Sequence, residues 1–168
     1  MPWSYSYFDS LTQQIVGESM ERHCSIQDVG PGAGKYSNLL RDRCLKIDCV
    51  EIFEPYIGKY NLHDLYDNVF NMDILEWEYT PLQYDLVILG DILEHLTYID
   101  AKKLLERLKI NGIQHFVAVP FESPQGVVAG NSNEAHLQED LTAERMSVRY
   151  PELKEIITNP FYGLYRNE

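Results

Sequence analysis

Apolar and polar positions follow two different periods along this chain, and the periods take turns. "SLTQQIVGESMER", beginning at Ser10, puts Leu11, Ile15 and Val16 together and sets Ser10 and Gln13 at capping-box spacing, which predicts a helix. "CSIQDV" then reads as a strand. "KYSNLLRDRC", with Tyr36, Leu39 and Leu40 on one face, reads as a helix, and "KIDCVEIF" as a second strand. A helix starts near Pro55, "NVFNM" follows as a strand, and "YDLVILG" is the most continuously apolar strand of the set. "DAKKLLERLKI" gathers Leu104, Leu105 and Leu108 on a helix closed by Asn111 and Gly112, before a fifth strand, "IQHFVAV". Strand and helix alternating in this way predict right-handed βαβ units and a parallel sheet covered on both faces. The tail "LKEIITNPFYGLYRNE" breaks the rhythm. Its two strand-like runs about Asn159-Pro160 predict an antiparallel hairpin at one sheet edge.

The expected architecture is therefore α/β, with a seven-stranded, mostly parallel sheet in a single domain over residues 1–168. Two stretches stand outside the alternation. Residues 1–24 form an aromatic segment and the first helix; "WSYSYFD" puts Trp3, Tyr5 and Tyr7 on one alternating face, expected to be an aromatic edge packed onto the sheet rather than a substrate surface. Residues 120–138 show neither period, and loops longer than about 12–15 residues in a compact domain are usually functional or disordered. Because this loop leaves the same end of the sheet as the motifs described next, it is read as a substrate lid.

Composition narrows the picture. At 168 residues, 45% hydrophobic and 24% charged, the chain is ordinary for one globular domain, with an excess of tyrosine at 12 copies. A formal charge of −12, with only 14 Lys and Arg and no obvious basic cluster, argues against a nucleic-acid partner. Cys24, Cys44 and Cys49 are an odd number without C-x-x-C spacing, so reduced thiols and a cytoplasmic location are expected. No apolar run reaches the roughly 20 residues of a membrane span, and the start lacks a signal-peptide pattern.

Candidate chemistry collects at the strand ends, where ligands bind in sheets of this kind. "DVGPGAGKY" ends the first strand with Gly30, Gly32 and Gly34 behind Asp28, a backbone cleared for close approach of a ligand. Glu51 ends the second strand about twenty residues on, the distance at which an acid reaches a ribose diol. Asp73 lies past the third strand, and Gly90 and Asp91 end the fourth. The dinucleotide fingerprint G-x-G-x-x-G would need a third glycine at residue 35, which is Lys35, and the P-loop pattern fails as well.

D-x-G-x-G-x-G, followed in order by "VEIFEPY", "NMDIL" and "YDLVILGDILEHL", resembles the class I S-adenosylmethionine-dependent methyltransferases from about Ser25 to the C-terminus. The resemblance implies their three-layer Rossmann-like fold and S-adenosylmethionine as cofactor. It implies that loop 28–34 faces the methionine part, that Glu51 takes both ribose hydroxyls, and that Ile52 and Met72 sandwich the adenine while Asp73 accepts from its amino group. Glu54 is the rival to Glu51, although an acid before Pro55 is also an ordinary helix start. Asp91 is expected near the cofactor's amino acid and sulfonium, with a helix cap as its alternative role.

Asp91, Glu94 and His95 are three and four positions apart, so a helical turn would put them on one side, and His136 could return to them from loop 120–138. Two carboxylates and two imidazoles suit a divalent cation such as Mg²⁺ or Mn²⁺. The pattern is similar to that of metal-dependent O-methyltransferases, among them the small-RNA 3′-terminal 2′-O-methyltransferases and ubiquinone-pathway enzymes, except that Asp91 stands where glutamate is common. The alternative is metal-free, with Asp91, His95 and His136 acting as a proton-accepting cluster. His63 and His115 lack such partners, and His23 is uninformative. The expectation is methyl transfer to an oxygen of a small molecule or glycan. A non-catalytic cofactor binder and a metal-dependent RNA-end 2′-O-methyltransferase are the alternatives.

Overall fold

The computed structural model describes residues 5–19 and 24–167. Helix α1 (Asp9–Ser19) leads to β1 (Ser25–Val29), α2 (Lys35–Leu40), β2 (Lys46–Glu51), α3 (Glu54–Lys59), the one-turn α4 (Leu62–Leu65) and β3 (Asn68–Asn71). Then come β4 (Leu86–Gly90), α5 (Tyr98–Ile110), β5 (Gln114–Pro120), α6 (Ala143–Arg149), β6 (Leu153–Asn159) and β7 (Tyr162–Asn167). The strands form one seven-stranded sheet in the order β3-β2-β1-β4-β5-β7-β6. The first five are parallel, and β7 runs antiparallel between β5 and the edge strand β6, as the sequence pattern predicts. Strand order reverses between β1 and β4, so the carboxyl ends of these two strands diverge into a crevice.

The reason β4 is apolar throughout is that both of its faces are covered. Val87 and Leu89 join Leu104, Leu105 and Leu108 of α5 in one apolar layer, while Leu86 and Ile88 join Ile26, Ile47 and Leu40 in the other. Strands β1 and β2 instead carry Gln27, Asp28 and Asp48 in full burial. Tyrosine hydroxyls answer each of them: Tyr79 donates to Gln27 Oε1 at 2.5 Å, Tyr66 to Asp28 Oδ2 at 2.5 Å, and Tyr84 to Asp48 Oδ2 at 2.8 Å. A buried polar group left unpaired costs about 1–3 kcal/mol. Tyr66, Tyr79 and Tyr84 thus each satisfy one polar atom inside the sheet, while Gln27 Nε2 and Asp28 Oδ1 have no hydrogen-bond partner among the described residues.

Several local expectations change. The capping box at Ser10 and Gln13 is not formed: α1 starts at Asp9, and the Gln13 amide donates to the Leu39 carbonyl at 2.8 Å. Helix α5 begins two residues earlier than its apolar spacing suggests, because Thr97 caps it by accepting from the Asp100 N–H at 3.2 Å. The short helix α6 is not apparent in the apolar pattern; Thr142 caps it in the same way, accepting from Arg145 N–H at 3.1 Å. In the terminal hairpin Asn159 Oδ1 accepts from Phe161 N–H at 2.8 Å, an Asx-turn that lets the chain reverse around Pro160. Tyr5, Tyr7 and Phe8 pack against the Tyr162 ring on that hairpin, with centroids 5.7, 6.1 and 6.1 Å away. Trp3, His23 and the last predicted helical residues, 20–22, lie outside the described residues. His63 is exposed, and His115 is buried in the sheet with its Nδ1–H on the Ile113 carbonyl at 3.2 Å.

Candidate functional site

A cavity of about 530 Å³ opens at the carboxyl ends of β1, β2 and β4, where the strand order reverses. The loop after β1 is stitched to β2 by Gly30 N–H on the Val50 carbonyl at 2.8 Å. Gly30, Gly32 and Gly34 all adopt left-handed backbone, at φ of 62°, 52° and 78°. The left-handed conformation at Gly30 favours glycine, and a Cβ there would sit 2.5 Å from Ile92 Cδ1 and displace that side chain. Gly30 and Gly32 line the cavity. Asp28 and Gly34 do not. Asp28 lies buried behind the wall on the Tyr66 hydroxyl, its pKa pushed up to about 7 by burial against the lowering effect of that hydrogen bond. Gly34 backs onto Leu65 and Tyr66. Both residues support the loop from outside the cavity lining.

Glu51 lines the cavity although it is only 4% exposed. Its Oε1 accepts from Phe53 N–H at 2.7 Å, which turns the carboxylate back over the end of β2. Burial pushes its pKa up to about 7; the Phe53 N–H opposes this and the Glu134 charge adds to it. Ile52, Met72 and Asp73 line the same cavity, and Ile52 is 42% exposed. Asp73 Oδ1 accepts from Leu75 N–H at 2.8 Å and so caps the turn Ile74–Glu76. Arg107 of α5 holds that turn in place through the carbonyls of Leu75, Trp77 and Ile74 at 2.8, 3.0 and 3.2 Å. Glu54, the rival acid, is exposed at the start of α3 and is not among the residues lining the cavity.

Gly90 and Asp91 line the cavity at the end of β4. The next segment is not the regular helical turn its spacing suggests but a 3₁₀ turn, Leu93–His95, entered through left-handed backbone at Asp91 (φ 55°). This separates Asp91 from the other three residues. Its Oδ1 accepts from the Tyr162 hydroxyl at 2.6 Å, whereas Glu94, His95 and His136 bring one ligand atom each within 4.8 Å of one another. The expected four-residue group is therefore a three-residue group, with Asp91 a separate part of the cavity wall.

That group is unusual electrostatically. Glu94 is 1% exposed, and neither of its carboxylate oxygens has a hydrogen-bond partner among the described residues. Burial, followed by the Asp91 charge, drives its pKa well up. The His95 and His136 rings meet edge-on with centroids 4.7 Å apart at 82°. His95 Nδ1–H donates to the Ala135 carbonyl at 3.3 Å and His136 Nδ1–H to the Ser123 carbonyl, which leaves both Nε2 atoms as lone-pair donors. Burial, then its neighbour His136, lowers the His95 pKa to about 4, so its imidazole is neutral at ordinary pH. Two neutral imidazoles and an unpartnered buried carboxylate are a donor set that fits a divalent cation. The backbone of the loop clamps the group together: Leu137 and Gln138 N–H both donate to the Glu94 carbonyl, at 2.7 and 3.1 Å.

Loop 120–138 is folded, not slack. Val128 and Asn131 pair across a tight turn through Ala129 and Gly130, and a 3₁₀ turn, Ser132–Glu134, follows. Asn131, Asn133, Glu134 and Leu137 all line the cavity, and Glu134 lies beside Tyr56 of α3. None of these residues carries a periodic signal; only the loop's length hinted at them. Thr97 and Asp100 at the start of α5 also reach the cavity, and their T-x-x-D spacing is a legible cap pattern. Among the described residues lining the cavity, Lys35 is the only Lys or Arg, and it is paired with Asp9 at 2.7 Å. The lining residues thus form no basic groove beside Asp91.

No family model matches the sequence, and a search of curated proteins finds no match. Solved structures, by contrast, share the fold across nearly the whole chain. An S-adenosylmethionine-dependent methyltransferase from Clostridium acetobutylicum superposes with a TM-score of 0.68 at 11% identity, over 98% of this chain and 91% of that one. DhpI, solved as its SAH complex, gives 0.69 at 14% identity over 96% and 85%. The 1,6-didemethyltoxoflavin-N1-methyltransferase of Burkholderia thailandensis, solved with 1,6-didemethyltoxoflavin and S-adenosylhomocysteine bound, gives 0.67 at 12% over 96% and 78%. At these identities the likeness is one of fold: this chain has the Rossmann-like fold of the S-adenosylmethionine-dependent methyltransferases.

Proposed function

We propose that the chain is an S-adenosylmethionine-dependent methyltransferase acting on an oxygen of a small molecule or glycan. The observation that carries this reading is the cavity itself, whose wall unites Glu51, Ile52, Met72 and Asp73 at the ends of β2 and β3 with Gly30 and Gly32 at the end of β1. An ionised Glu51 can accept both hydroxyls of a ribose, and Asp73 can accept from a purine amino group. Ile52 and Met72 supply apolar surface for the purine faces. The neighbouring folds support the reading through what they bind: S-adenosylhomocysteine in DhpI and in the Burkholderia enzyme, the latter with 1,6-didemethyltoxoflavin also bound. S-adenosylmethionine, when bound, supplies an already activated methyl group, so the protein's tasks are to orient the acceptor, exclude water and remove one proton.

His95 lines the cavity, and its Nε2 is the atom suited to take the hydroxyl proton of an acceptor as the new oxygen–methyl bond forms. The Ala135 carbonyl, accepting from Nδ1–H, and the edge-on ring of His136 hold that imidazole in place. The unpartnered Glu94 carboxylate favours a second form of the same reading, in which Glu94, His95 and His136 hold a divalent cation. Such an ion would supply Lewis-acid stabilisation of the acceptor oxygen. An RNA end is disfavoured as acceptor by the acidic cavity wall, where Asp9, Asp91, Asp100 and Glu134 outnumber the single, paired Lys35.

The test is a calorimetric titration with S-adenosylhomocysteine and with NAD. S-adenosylhomocysteine is expected to bind and NAD is not, because Lys35 stands where a dinucleotide site needs glycine. Binding of NAD without any response to S-adenosylhomocysteine would overturn the assignment. Transfer of labelled methyl to hydroxyl-bearing small molecules then separates an enzyme from a protein that only binds the cofactor.

A further inference from the structure

We propose that Tyr162 is a positioning residue: its hydroxyl sets the Asp91 carboxylate on the cavity wall to receive an ammonium group, the amino-acid end of the bound cofactor. The inference rests on the cavity being a site for S-adenosylmethionine, and it brings the antiparallel hairpin, which lies outside every strand-end motif, into the binding of that ligand.

Asp91 is held from two sides. Its N–H donates to the Ala118 carbonyl of β5 at 2.8 Å, which fixes its backbone in the left-handed turn. The Tyr162 hydroxyl then donates to Oδ1 at 2.6 Å, inside the 2.5–2.7 Å range typical of a hydroxyl on an ionised carboxylate. Tyr162 opens β7 opposite Pro120, so antiparallel register brings it to the carboxyl end of β5, beside the end of β4. The ring is 2% exposed and is walled by Tyr5, Tyr7 and Phe8, which leaves the hydroxyl little freedom to point elsewhere. Burial, then the Asp91 charge, keeps the phenol protonated by driving its pKa well up. Tyr162 can therefore act only as a donor here. A carboxylate gripped at one oxygen by a fixed donor keeps its direction, and the cation that suits a carboxylate on this wall is an ammonium.

Two ligands separate this role from general support of the fold. S-adenosylhomocysteine carries the ammonium; 5′-methylthioadenosine keeps the nucleoside and the sulfur but lacks the amino-acid end. Tyr162→Phe preserves the ring and its packing. It is expected to weaken S-adenosylhomocysteine roughly 3- to 12-fold, the net worth of one hydrogen bond, and to leave 5′-methylthioadenosine unchanged within about twofold. Asp91→Asn, which the left-handed backbone tolerates, is expected to show the same selectivity, and Tyr162→Phe added to it should cost nothing more, since the hydroxyl acts through that charge. Equal weakening of both ligands by Tyr162→Phe, or weakening of neither, overturns the proposal, as does a full additional loss in the Asp91→Asn background. Should Tyr162→Phe fold poorly, the selectivity of Asp91→Asn alone decides whether an ammonium is read at this wall. A wild-type protein that binds neither ligand would instead bring down the cofactor reading beneath it.

Discussion

Replacing His136 by alanine is expected to lower methyl transfer by roughly 10²- to 10⁴-fold, the usual contribution of a positioned acid or base, while leaving S-adenosylhomocysteine affinity within about threefold. His136 does not line the cavity proposed for the cofactor, so the loss should fall on turnover and not on cofactor binding. It packs edge-on against His95, and one of its ring nitrogens lies within 4.8 Å of the Glu94 carboxylate, whose oxygens have no hydrogen-bond partner among the described residues. Removing it dismantles the group whether the group moves a proton or holds an ion. A chelator distinguishes the two. A cation site loses activity in EDTA and regains it with Mn²⁺ or Mg²⁺, and Glu94→Gln then weakens uptake of Mn²⁺ measured directly by calorimetry. A metal-free cluster ignores the chelator, and Glu94→Gln retains most of the turnover. Wild-type turnover in His136→Ala would remove the group from the chemistry altogether.

Glu51→Ala is the second large effect. A charged hydrogen bond to a ribose hydroxyl contributes about 1.5–3 kcal/mol, so binding of S-adenosylhomocysteine should weaken roughly 10- to 150-fold at 1.4 kcal/mol per decade. Glu54→Ala, at an exposed position off the cavity, should change it by less than about twofold. The pH dependence carries a sign. Burial raises Glu51 to about 7 in the free protein, while the ribose hydroxyls need the ionised form. Cofactor affinity is therefore expected to rise with pH through about 7 and then level off, and Glu51→Gln should flatten this slope. The same shift acts oppositely on the unliganded fold. Because the folded-state value lies above that of an unfolded glutamate near 4.5, Glu51's favourable contribution is complete below about 4.5 and fades as pH climbs through about 7. Thermal melts of free and cofactor-loaded protein across this window should diverge; parallel melts, or an affinity that falls with pH, would contradict the assignment of Glu51 to the ribose.

How far the sequence carries can be seen at individual residues. Glu51 and Asp91 were legible because each ends a strand, and strand ends follow from a period written in a few neighbouring residues. Asp28 belongs to the same motif yet sits behind the cavity wall, since its position in β1 points it at Tyr66, a partner 38 residues away. The spacing Asp91, Glu94, His95 suggested one helical side. The 3₁₀ turn that forms instead has a different angular step, and Asp91, which precedes it in left-handed backbone, is not among the residues whose ligand atoms converge.

What the sequence by itself determined is the parallel α/β sheet with its terminal hairpin, and the gathering of Gly30, Gly32, Glu51, Asp73 and Asp91 at one end of it. Local hydrophobic period and turn chemistry suffice for that, because each strand must bury its faces and each of these residues lies at or just past a strand's end. Only the tertiary structure decided that His136 meets His95, that the buried Glu94 carboxylate has no hydrogen-bond partner among the described residues, and that Tyr162 grips Asp91. The His95–His136 and Asp91–Tyr162 contacts span 41 and 71 residues. They depend on the path of loop 120–138 and on the antiparallel return of β7, and neither leaves a periodic trace in the chain, because the forces that set them act between elements and not along them.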